Sequence, residues 1–126
     1  TAAGVAAMAG APEPDVRVIT GNTAVQNDAD LTEKTGAMFK TAFGDNAIRN
    51  TEPGSASEDY SVFVEAGIPS VYFGIGGTDP KVYADAKAKG VDVPFNHSPT
   101  FAPAPEPTIK TGVTAMTLAV MNVLAK

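Results

Sequence analysis

The sequence predicts an α/β fold on three observations. Short β-rich runs alternate with segments of helical periodicity. The run IPSVYFGIGG (68–77) is continuously apolar, β-branched and aromatic, and ends in glycines, the pattern of a strand buried on both faces. The last twenty residues repeat apolar positions at helical spacing. Composition agrees with a globular domain: 126 residues, 44% hydrophobic and 18% charged.

Element by element, the chain opens on TAAGVAAMAG, where Ala2, Val5, Ala6 and Ala9 share a helix face that Gly10 and Pro12 stop. This opening carries neither an initiator Met nor a secretion signal. It is expected to be the interior of a longer chain. After the APEP linker, DVRVIT (15–20) alternates as a short strand before Gly21 and Asn22. Asp28 or Asp30 can cap a helix whose stripe is Leu31, Met38, Phe39, Ala42 and Phe43, closed by Gly44. Residues 47–51 are expected to form a brief strand. Ser55 and Glu58 then fit a capping box opening a helix with Tyr60, Phe63 and Val64 buried and Gly67 at its end. Beyond the central strand, a helix is expected through Lys81 to Lys89. A Pro-rich loop over 94–107 follows, and then a helix from Pro107 burying Ile109, Val113, Met116, Val120, Met121 and Leu124. No internal repeat is visible.

Charge and composition narrow the function classes. Fourteen acids against nine bases give a net charge of −5, and no basic cluster exists to track phosphates. Nucleic acid is therefore excluded as an expected partner. No apolar run approaches the roughly 18 residues that span a bilayer, so no membrane partner is expected. The absence of Cys removes disulfides, thiol nucleophiles and Cys-ligated zinc, and leaves the compartment open.

Several motifs bear on chemistry. GIGGTDP follows the apolar run but places Asp79 and Pro80 where a dinucleotide loop needs its last glycine. GSASE lacks the closing glycine of a serine-hydrolase elbow. The acidic pair Glu58-Asp59 has two readings: a favourable partner of a helix dipole, or one wall of a site in which free N–H groups from Gly54 to Glu58 take a substrate carboxylate. His97, the single histidine, lies in FNHSPTFAP. It is either a hydrogen-bonded surface residue or a metal ligand whose companions are carboxylates or chain outside this sequence.

The order of these motifs is more specific than any one of them. GSASEDYSVFVEAGIPSVYFGIGG, a variable loop, NHSPTF and a terminal amphipathic helix together resemble the C-terminal portion of the zinc amidohydrolases that include hippurate hydrolase, aminoacylase and auxin-conjugate hydrolase. VITGNTAVQNDADLT is similar to that family's passage from its lid domain back into the catalytic domain. The resemblance covers nearly the whole chain. It implies a three-layer α/β/α catalytic domain with a mixed sheet over 28–126, preceded by the tail of an α+β lid, or dimerisation, domain over 1–27.

It further implies His97 as a zinc ligand, with Asn96 and Ser98 orienting it, and Gly54, Ser55, Ser57, Glu58 and Asp59 beside the substrate. Two zinc ions would activate a water for hydrolysis of N-acyl amino acids or small peptides, with a glutamate as general base. The general base and the other ligands belong to a part of the family's chain that precedes these residues. The isolated chain is therefore expected to be inactive, with the remainder of the catalytic domain as its partner and a homodimer formed through the lid. The alternative expectation is a self-contained α/β binding or interaction module in which Glu58, Asp59 and His97 are structural.

Overall fold

The computed structural model describes residues 1–19, 21–56 and 58–125. Among the described residues, five α-helices follow in order: α1 (Ala2–Met8), α2 (Ala29–Phe43), α3 (Ser61–Glu65), α4 (Pro80–Lys89) and α5 (Pro105–Leu124), with one 3-10 turn at Gly44–Asn46. Helix accounts for 49% and strand for none, so among the described residues there is no sheet. The expected α/β class, with its three-layer domain and α+β lid, is thereby overturned.

The physical reason is pairing. A strand exists only through ladder bonds to a neighbour, and the three β-rich runs find none among the described residues. Residues 15–19 lie irregular and open, with Val18 and Ile19 each 90% exposed; Thr20 is outside the described residues. Residues 47–51 and 68–77 likewise form no strand. High β-propensity describes fitness for a half-buried pleated surface rather than an intrinsic backbone state.

The helices follow local chemistry more closely. Asp28 caps α2, its Oδ1 accepting from the Leu31 amide at 2.8 Å, and Gly44 ends it. Asp79 caps α4 by accepting from the Lys81 and Val82 amides at 2.8 and 3.2 Å, while Gly90, at φ 65°, supplies the left-handed residue that terminates it. At the end of α3 the amides of Gly67 and Ile68 donate to the carbonyls of Val64 and Phe63. Gly67 adopts φ 76° there, a conformation that favours glycine.

The interior is small. Helices α2 and α5 pack on each other, with Thr35 of α2 at 3% and Ala115 of α5 at 1% exposure and Thr111, Gly112, Leu118 and Ala119 half-buried along α5. Small residues let two helix backbones approach closely. The expected apolar face of α5 is turned the other way: Ile109, Val113, Met116, Val120, Met121 and Leu124 are all exposed. A second apolar cluster ties the irregular segment to α2, where Phe39 meets Phe43 and Phe73 edge-on at ring separations of 5.8 and 4.9 Å. Among the described residues, no helix is long and apolar enough to cross a membrane.

Candidate functional site

The segment 68–77 organises both halves of the candidate site. On one side it is strapped by GNTAVQND (21–28). The Asn27 side-chain amide donates to the Tyr72 carbonyl at 3.0 Å and its carbonyl accepts from the Tyr72 amide at 2.8 Å, while the Asp28 amide donates to the Ser70 carbonyl at 2.8 Å. One asparagine thus satisfies both main-chain groups of Tyr72, as a neighbouring strand would. The same strap reaches α3: Asn22 Nδ2 donates to the Glu58 carbonyl at 3.4 Å, and Thr23 Oγ1 donates to the Glu65 carboxylate.

Glu58 and Asp59 sit at this strapped end, both exposed, as are Gly54 and Ser55. Helix α3 starts only at Ser61 and has no side-chain cap. The capping box expected from Ser55 and Glu58 does not form, and the amides of 54–58 precede the helix instead of constituting its N-terminus. Ser61, fully buried, takes the anchoring role instead, its Oγ donating to the Glu58 carbonyl at 3.4 Å. Ser57 lies outside the described residues.

The acidic pair acts on Tyr72, Glu58 more strongly than Asp59. The Glu58 carboxylate, accepting a hydrogen bond, pushes the Tyr72 phenol above its ordinary value, and lost hydration and the negative charges of Glu58 and Asp59 act in the same direction. A folded-state value raised in this way favours the protonated phenol. The contact therefore stabilises the fold below the phenol's unfolded value, and that contribution is lost as pH rises through the raised one. Glu58→Gln is expected to bring the Tyr72 ionisation back down, read as an earlier transition in tyrosinate absorbance at 295 nm. An unchanged titration would show that Glu58 does not face the phenol.

The histidine loop is fixed at the other end of the segment. The Ala104 amide donates to the Gly77 carbonyl at 2.8 Å. Phe101 and Pro103 pack over Gly77, where a Cβ would stand in ordinary contact at 3.4 Å from each. Within the loop the Ser98 amide donates to the Phe95 carbonyl at 3.0 Å, closing a turn with Asn96 and His97 at its centre. His97 has φ 79°, the backbone that such a turn requires at its third residue and that glycine or asparagine normally supplies. Its ring is exposed and meets Phe95 edge-on, 6.5 Å between centroids. The Ser98 hydroxyl pairs with that of Thr100 at 3.0 Å, so it braces the turn and does not orient the imidazole.

The carboxylate pair and the imidazole thus attach to one segment at Tyr72 and Gly77, five residues and at most about 18 Å of backbone apart. They do not form one cluster: among the described residues, no group of three His, Cys, Asp or Glu could hold a metal ion. These residues alone do not fit a complete zinc site; His97 fits a single ligand position. Sequence reasoning missed Tyr72, Asn27 and Ser61. Asn27-Asp28 ahead of a helix carried a usable signal, because such side chains bond nearby main chain, whereas nothing in the local pattern announced Tyr72 as the partner of Glu58.

No family model matches the chain, and no solved structure matches it.

Proposed function

We propose that these residues are the C-terminal segment of a metal-dependent hydrolase that cleaves the amide bond of N-acyl amino acids or small peptides, and that His97 is one of its metal ligands. The observation that carries the reading is the presentation of the single imidazole. It stands exposed, at φ 79°, on a loop pinned to Gly77, although a surface histidine gains nothing from a backbone that costs roughly 1–2 kcal/mol. The ordered motifs from Gly54 to Phe101 supply the class of reaction.

In this reading Gly54, Ser55, Glu58 and Asp59 line the substrate side. The remaining ligands and the general base come from the rest of the polypeptide. The test is hydrolysis of a panel of N-acetyl amino acids by the complete natural polypeptide containing these residues, before and after chelation. Zinc-restorable activity on such amides is expected, with none from the 126 residues alone. Activity that survives chelation, or no hydrolysis of any member of the panel, would contradict the proposal.

A further inference from the structure

The chain exposes 10406 Å², against about 6,300 Å² for a folded monomer of its mass. The excess, roughly 4,000 Å², is larger than the about 1,000–2,500 Å² each partner buries in an obligate dimer. Exposed large hydrophobics occur along the whole chain, with the longest succession of them on α5. One turn of α5 after another presents Ile109, Val113, Met116, Val120 and Leu124 to solvent, and this stripe runs into an open apolar groove of about 480 Å³ lined by Leu31, Tyr60, Val71, Phe73, Val120 and Val123 among others.

The wall of that groove also carries unused main-chain groups. In a strand-like segment the N–H and C=O of one residue point to one edge and those of the next residue to the other. Along 68–77 the bonds to the 21–28 strap fall on Ser70 and Tyr72. The amides and carbonyls of Val71, Phe73 and Ile75 have no partner among the described residues. Three donors and three acceptors on alternate residues are self-complementary under a two-fold axis. With Phe73 opposite Phe73, and Val71 opposite Ile75 in both directions, all six groups of each copy are satisfied in hydrogen-bonded antiparallel pairs.

We propose that the 126-residue chain associates with a second copy of itself about a two-fold axis at Phe73, pairing the Val71–Ile75 edges and covering the groove and the α5 stripe. The occupant is another copy because the edge matches itself and the exposed area suffices for an obligate dimer. The proposal concerns the 126-residue chain by itself; within a longer polypeptide of the proposed hydrolase, the remaining chain would compete for the same edge.

The test is sedimentation equilibrium of the 126-residue chain, with two variants on different elements. Ile75→Pro removes an edge donor without touching the bonds of Tyr72. Val123→Glu puts a carboxylate into the groove, where unpaired charge is costly. The wild type is expected at twice 12.9 kDa, with each variant weakening association at least about tenfold. Val18→Glu, at a 90% exposed position that does not line the groove, should change nothing. In a sample mixing isotope-labelled and unlabelled copies, an NOE is expected between the Hα of Tyr72 in one copy and the Hα of Gly74 in the other, which needs no variant to fold. A monomer at several hundred micromolar, or a dimer lacking that cross-copy contact and indifferent to both variants, would overturn the proposal.

Discussion

Replacing Ala115 by leucine is expected to cost about 1–3 kcal/mol of folding free energy, the range for forcing extra methylenes into a closed contact. Ala115 is 1% exposed and faces the crossing of α2 and α5, where Thr35 is 3% exposed. Neither helix can accept a larger side chain there without moving apart. Because a small domain holds only a few kcal/mol in reserve, this single change should shift the urea midpoint markedly and leave a substantial unfolded population without denaturant.

The neighbouring residue makes the comparison sharp. Met116 is 57% exposed, so Met116→Gln should stay within about 0.5 kcal/mol. The helical stripe read from the sequence puts Met116 inside and Ala115 outside, and therefore expects the opposite ranking. Equilibrium unfolding of the two variants decides which face of α5 packs on α2.

The second large effect concerns His97. In the complete polypeptide, His97→Ala is expected to lower amide hydrolysis by at least about a hundredfold, since changes even one shell out from a metal cost 10–100-fold. His97→Gly should be equally inactive but more stable than His97→Ala, by on the order of 1 kcal/mol, because φ 79° is strained for any residue with a Cβ and costs glycine nothing. The same strain applies to the native histidine, so His97→Gly should also be at least as stable as wild type while inactive, the pattern of a residue retained for function. Equal stability of the alanine and glycine variants would show that the turn carries no strain, and retained activity would show that the imidazole is dispensable.

How much of this was legible depends on the range of the interaction. The capping of α2 by Asp28, its closure at Gly44 and the ending of α4 by Gly90 are set by residues within a turn of one another, and each could be read from the sequence. The state of 68–77 is decided by what lies beside it. Isoleucine, valine, tyrosine and phenylalanine in a run mark a segment suited to a sheet, yet no ladder forms among the described residues, and a single Asn27 side chain replaces the missing neighbour at Tyr72.

The α5 face failed for a related reason. Hydrophobic periodicity finds the most apolar stripe, whereas the less exposed side of α5 carries Thr111, Gly112, Ala115, Leu118 and Ala119, a mixed set that no apolar period marks. At the candidate site, the acidic pair and the histidine were visible as residues. Their placement on opposite ends of one segment was not, since it follows from Asn27 and Phe101, which bond or pack across long stretches of chain.

The most direct test of the functional account is the metal content of the complete polypeptide by inductively coupled plasma mass spectrometry, after dialysis against zinc and then buffer, for wild type and His97→Gly. Bound zinc is expected in the wild type and loss of at least one equivalent in the variant, with the helical circular dichroism unchanged. Equal zinc in both proteins would remove His97 from the metal site and leave the loop at Gly77 as structure alone.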